Sequence, residues 1–260
     1  KTEAELRAYV EGNDTHTGAP VMKEIIDALT QGLAANTPGE EPYARTTPRL
    51  VDPATEDELH ALFEKNLWTD HLPIVLPTEA RVAAMLAGTS RKPDEVVGRM
   101  QPTPNRGLWE YTVEKVAVNA VMAGARPEYF PVILALASTG ISARGSTSSS
   151  ASTMTVVNGP IRHEINMNCG LGAMGPYNHA NATIGRAYSL LSQNLQGGSV
   201  PNETFMGSIG SNYTYNGITF AENEERSPWE PLHVQKGFDA QTSTVTIFHG
   251  CRSTTFNLGL

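Results

Sequence analysis

Between Val21 and Leu33 the apolar positions fall at Val21, Met22, Ile25, Ile26, Leu29 and Leu33, a spacing that predicts an amphipathic helix closed by Gly32 and Pro38. Four prolines between Asn36 and Pro53, with little periodicity, predict a connector or wrapping arm. A second helix is expected to open at Asp52-Pro53, with Leu59, Leu62, Phe63 and Leu67 as its inner face, and to end between Asn66 and His71. The run from Leu72 to Pro77 lies between prolines and reads as an edge strand or extended loop. Thr78 is placed to cap a helix from Glu79 to Leu86, and Gly88 to stop it.

Helical spacing returns from Tyr111 to Ala123, ended by Gly124, and again from Glu128 to Ala137. Small residues between Val118 and Ala125 would let these two helices pack closely. From Ser138 to Ser152 the chain turns to Ser, Thr, Gly and Ala, a loop or a hydroxyl-lined site. Thr153 to Val157 predicts a strand that runs into the sharp turn Asn158-Gly159-Pro160. A helix is expected from near Asn181 through Ile184, Ala187, Leu190, Leu191 and Leu195 to Gly197-Gly198. Beyond Phe205 the chain reads as strands and loops, with Ser243 to Phe248 the clearest strand. No internal repeat is present. Together these elements predict a single mixed α/β domain, residues 72–260, preceded by an N-terminal helical arm and connector, residues 1–71.

Composition narrows the function. At 260 residues and 40% hydrophobic content the chain can bury a substantial core without staples. A formal net charge of -8 argues against a nucleic-acid partner, whose phosphates are neutralised by Lys and Arg. No apolar run approaches the ~18 to 20 residues that span a bilayer, and the charged start is unlike a signal peptide, so a soluble, cytoplasmic chain with no membrane partner is expected. Cys169 and Cys251 are too few for a disulfide framework and are expected to be free thiols.

The segment from Asn158 to Arg186 is the richest in candidate chemistry. It sets His163, Glu164, Cys169 and His179 around the glycines Gly170, Gly172 and Gly175, then feeds a helix whose first turns hold Asn181, Thr183 and Arg186. Glycines let backbone N–H groups approach a ligand, and a helix N-terminus carries about half a positive charge, so an anionic substrate is expected there. The glycine spacing is G-x-G-x-x-G, but the long preceding strand and the acidic residue of a dinucleotide site are missing. The alternative is that the glycines only permit tight packing. Cys169, beside the turn, is a candidate thiolate or a small buried hydrophobe. His163 and Glu164 offer an acid or base, though neighbours on a strand point to opposite faces.

A second block runs from Phe220 to His233. Glu222, Glu224, Glu225 and Glu230, with His233, can supply acid/base groups or a divalent metal site, and no zinc signature is present. If this loop lines the active site, Glu224 or Glu230 would transfer protons, while the enzyme reading gives that task to Glu164 or His163. The competing reading is a solvated acidic loop pinned by Trp229, with Arg226 pairing a neighbour. His249 and Cys251 form a further short pair after the last strand.

Four blocks carry a family resemblance: Leu72 to Thr89, Thr112 to Pro131, Ala180 to Ala187 and Phe220 to His233. In these the chain resembles a poorly characterised bacterial family found beside or joined to a module with a UGSC-type motif, where U is selenocysteine or cysteine. This chain has no such motif, and Ala125 stands where the family has a cysteine after Met-Ala-Gly. The resemblance implies a partner subunit and chemistry involving sulfur or a carbon–heteroatom bond. Three readings follow. The first is a small-molecule lyase or hydrolase working on a polar or anionic substrate by acid/base chemistry. The second is a thiol-dependent redox enzyme or partner using Cys169 or Cys251. The third is a non-catalytic scaffold subunit in a homo- or hetero-oligomer.

Overall fold

The computed structural model describes residues 2–14, 17–30, 48–100, 109–143, 153–175, 177–196 and 218–248. The chain divides into two compact units, Lys1–Glu41 and Pro42–Leu260. In the first, α1 (Glu3–Glu11) and α2 (Val21–Thr30) pair as a hairpin. Its turn is closed by Asp14 N–H donating to Ala19 and Gly18 N–H donating to Asp14. The apolar stripe of α2 is as periodic as expected, yet Met22, Ile25, Ile26 and Leu29 are exposed.

The second unit is a mixed α/β domain. Its elements are α3 (Glu56–Lys65), α4 (Glu79–Leu86), β1 (Val96–Met100), β2 (Trp109–Thr112), α5 (Val113–Met122), α6 (Phe130–Ser138), β3 (Met154–Asn158), α7 (Ile161–Glu164), α8 (His179–Gln196), β4 (Ile218–Ala221), α9 (Leu232–Gln235) and β5 (Thr244–Phe248). The division between the two units falls between Glu41 and Pro42. Helix α3 belongs to the second unit because Phe63 is buried in its core. That helix also starts later than Asp52-Pro53 suggests. Thr55 and Glu58 form a reciprocal capping box that satisfies the N–H donors of both residues, so the helix opens at Glu56 instead.

Helices α5, α6 and α8 make the centre of the core. Val116, Ala117 and Ala120 of α5, Ile133 and Leu136 of α6, and Ile184, Leu190 and Leu191 of α8 are all buried. Small residues on α5 keep the backbones close, as the Val118 to Ala125 composition predicts. Burial of each large aliphatic side chain stabilises the fold by about 1.5–3 kcal/mol. Tyr111, expected at the start of a helix, lies instead in β2 and donates from its hydroxyl to Ala137. Burial pushes that phenol up to about 12. Thr112 then caps α5, so the helix begins two residues later than the pattern indicates. The segment from Leu72 to Pro77 is extended without joining a sheet.

Two small sheets frame these helices. β1 and β2 pair antiparallel, with Met100 opposite Trp109. In the other sheet β3 is central, parallel to β4 and antiparallel to β5. The parallel pairing requires a long crossover, and α7 and α8 lie within it. Its functional consequence is that Asn158 and Ala221, the last residues of β3 and β4, reach the same sheet edge. Among the described residues no helix is long and apolar enough to cross a membrane.

If α8 is the central beam of the core, Leu190→Ala should destabilise the chain by about 2–5 kcal/mol, read as a lower urea midpoint at unchanged slope.

Candidate functional site

The chain leaves β3 through Gly159, whose φ of 83° is left-handed and whose Cα approaches the β5 loop so closely that a Cβ would lie 2.5 Å from the Thr242 carbonyl oxygen. Pro160 then starts the single turn α7 and directs Arg162 inward, leaving its side chain 4% exposed. A buried guanidinium requires acceptors for its donors. Nε donates to Gly159 O at 2.9 Å, and Nη1 donates to Glu222 O at 2.8 Å and Glu225 Oε2 at 3.3 Å. Nη2 donates to Glu224 Oε2 at 2.9 Å and Glu225 Oε1 at 2.8 Å. The acidic loop is thereby folded back over the ends of β3 and β4.

Each carboxylate of this cluster has a different environment. Glu224 Oε1 accepts from Asn158 Nδ2 at 2.9 Å and from Gly159 N–H at 2.8 Å, while its other oxygen takes Arg162. Both oxygens are occupied, so Glu224 acts as a strut. Glu225 binds Arg162 and also meets His163 Nε2 at 2.9 Å. The Arg162 guanidinium first, and the His163 imidazole second, hold the Glu225 carboxyl down at about 2. Glu222 Oε2 accepts from Asn158 Nδ2 at 2.5 Å and from Leu232 N–H at 2.9 Å. Its Oε1 makes no hydrogen bond among the described residues and is not sealed from solvent.

Beside this cluster lies an open cleft of ≈ 650 Å³. One wall is the glycine-rich turn, with Cys169, Gly170, Gly172, Ala173, Met174 and Gly175. The opposite wall is the end of β4, with Phe220, Ala221, Glu222 and Asn223. The two sequence blocks richest in candidate chemistry thus meet at the carboxyl ends of a parallel strand pair, where open α/β sheets place their ligands. The Cys169 thiol is free and close enough to Arg162 to interact with it electrostatically.

Several predicted site residues have other duties. Arg186 does not face the turn as an anion clamp: Nε and Nη2 grip both oxygens of Asp70 at 3.1 and 3.0 Å, and the Asp70 side chain is 2% exposed. A buried carboxylate needs that fork more than a surface ligand would. Asn181 is a latch. Its amide donates to Asn168 O and Ala173 O, and its oxygen accepts Asn168 N–H. Thr183 bonds back to His179 O, and His179 Nδ1 lies 3.3 Å from the Tyr129 hydroxyl. Two of the glycine donors are taken up within the turn: Gly170 N–H goes to Asn168 Oδ1, and Gly175 N–H to Gly172 O. Gly172 provides a left-handed φ of 73°. Glycine here serves backbone geometry, and the expected cradle of anion-binding N–H groups at Gly170 and Gly175 is not formed.

Glu164 and Glu230 are exposed, and neither carboxylate has a hydrogen-bond or ion-pair partner among the described residues. Only the backbone oxygen of Glu230 is engaged, by Gln235. Neither lines the cleft. The sequence left a divalent metal in the acidic loop open as one alternative; among the described residues no three His, Cys, Asp or Glu side chains stand together as ligands. Arg162 is the reason, drawing Glu224 and Glu225 to itself. His249 and Cys251 lie outside the described residues. Sequence reasoning missed Arg162 and Asn158, and passed over Glu222 as the cleft carboxylate. The available signal was a polar pair flanking a Gly-Pro turn directly after a strand. No family profile, curated protein or solved structure matches the chain.

Two outcomes follow. Arg186→Met should remove the guanidinium fork from the buried Asp70 carboxylate and cost about 3–5 kcal/mol in urea unfolding. Glu225, with its folded pKa depressed, contributes stability fully above its ordinary range and loses it as pH falls toward about 2. Wild type should therefore exceed Glu225→Gln in stability at neutral pH, and the two unfolding midpoints should converge as acid is added.

Proposed function

We propose that the chain is a small-molecule enzyme, a lyase or hydrolase, that moves protons within the cleft between the glycine-rich turn and the end of β4. One observation carries this reading. Glu222 lines the cleft with one oxygen fixed by Asn158 and Leu232 N–H and the other unbonded. A general base needs a held carboxylate with a lone pair still available. Glu224, whose oxygens are both occupied, cannot offer one without breaking the strut. The proton carrier is therefore Glu222, with Arg162 and Asn158 as positioning residues and the polar substrate lying against Met174 and Phe220.

A second reading rests on Cys169, a free thiol on the same cleft wall, and would make the reaction thiol-dependent. The resemblance to the UGSC-associated family supports that chemistry and a partner subunit. Leu171 and Tyr177, at 100% and 101% exposure, are suited to such an assembly. The working compartment in this proposal is the cytoplasm, where a free thiol persists.

The test is a panel of small polar esters, amides and elimination substrates. Glu222→Gln keeps an oxygen for Asn158 and Leu232 but replaces the base, so turnover should fall by about 10²-fold or more. Cys169→Ser should leave it largely intact. Equal turnover by folded Glu222→Gln would overturn the assignment, and loss only in Cys169→Ser would favour the thiol reading.

A further inference from the structure

The charge that lines the cleft names a ligand class. Among its described lining residues Glu222 is the one fixed charge, and no Lys, Arg or His is present. The turn's N–H groups at Gly170, Ala173 and Gly175 already donate within the turn. Behind the cleft wall the Glu224 and Glu225 carboxylates share the guanidinium of Arg162, which meets Glu222 only at its backbone oxygen, so among the described residues no cation is bonded to the Glu222 carboxylate. An independent observation agrees. Asn158 is fully buried, and its Oδ1 has no hydrogen-bond partner. The amide orientation is fixed, because Nδ2 meets two carboxylates and a flipped amide would set oxygen against oxygen. Two acceptors are thus unmet, Asn158 Oδ1 within the cluster and Glu222 Oε1 at the cleft.

We infer that the cleft takes a cationic amine with an apolar body. The ammonium pairs with the open oxygen of Glu222, and the body covers Met174, Phe220, Ala173 and Ala221. An anion is disfavoured on the same grounds. It would meet the Glu222 carboxylate with no basic side chain among the described lining residues to hold it. This inference rests on the reading of the cleft as the substrate site. It replaces the anionic substrate expected from the sequence.

The experiment uses two probes of similar shape, 2-phenylethylamine and 3-phenylpropanoate, titrated into the ¹⁵N-labelled full chain at low ionic strength. The amine should shift the amides of Gly170, Gly172 and Asn223, and its binding should weaken as salt is raised. Glu222→Gln should weaken it by about tenfold or more. Asn223→Lys is a second variant, since the Asn223 side chain has no hydrogen-bond partner among the described residues and its loss should not disturb the fold. Placing a cation on the cleft wall should likewise abolish amine binding. Shifts at these amides from the carboxylate probe alone would overturn the ligand class while leaving the cleft as a site. No shift from either probe would overturn both the class and the reading on which it rests. Amine binding unchanged in both variants would show that the ammonium is held elsewhere, and would also overturn the inference.

Discussion

A guanidinium taken out of water must find an acceptor in each donor direction, and Arg162 finds them on three sides. Gly159 lies behind it, the Glu222 backbone beside it, and the Glu224 and Glu225 carboxylates in front. Removing any one would leave a buried donor unpaired, at a cost of about 1–3 kcal/mol for such a group. That constraint closes the acidic loop over the sheet edge and fixes which carboxylate reaches the cleft. Glu224 and Glu225 are held by the arginine, and Glu222 remains at the cleft.

The same accounting explains why the residues that look most like an anion site do not form one. A glycine-rich turn before a helix is a frequent anion cradle because its N–H groups are free to converge. Here the Gly170, Ala173 and Gly175 N–H groups are bonded within the turn, and the Asn168, Asn178 and Asn181 side chains donate to its carbonyls. Arg186 is committed to Asp70 across more than a hundred residues of sequence, tying α8 to the segment before Leu72. Both features stiffen the wall of the cleft. Neither adds positive charge to it.

Rigidity of the site is inherited from the helices beneath it. Small residues on α5 let α6 and α8 approach, and the packed core holds the crossover that brings β3 and β4 side by side. Because those strands are parallel, their carboxyl ends coincide, and segments more than sixty residues apart in the chain become hydrogen-bond partners. The chemistry of Glu222 thus depends on a pairing direction, which no local sequence signal specifies.

What the sequence determined by itself is local. The helices at Glu79, Val113, Phe130 and His179 and the strands at Met154 and Thr244 were legible because periodicity, caps and glycine stops act over a few residues. The mixed α/β class and the N-terminal helical arm followed from their order. Errors at Asp52 and Tyr111 were also local, a capping box and a strand end overriding the apolar pattern. The two blocks that build the site were recognisable as unusual, but the roles of their members were not. Whether Arg186 meets a ligand or Asp70, and whether Glu224 or Glu222 keeps an available oxygen, depends on partners over a hundred and over sixty residues away. Only the tertiary structure decided those pairings, because burial makes a charge choose its partner by proximity in space, and the sequence records proximity only along the chain.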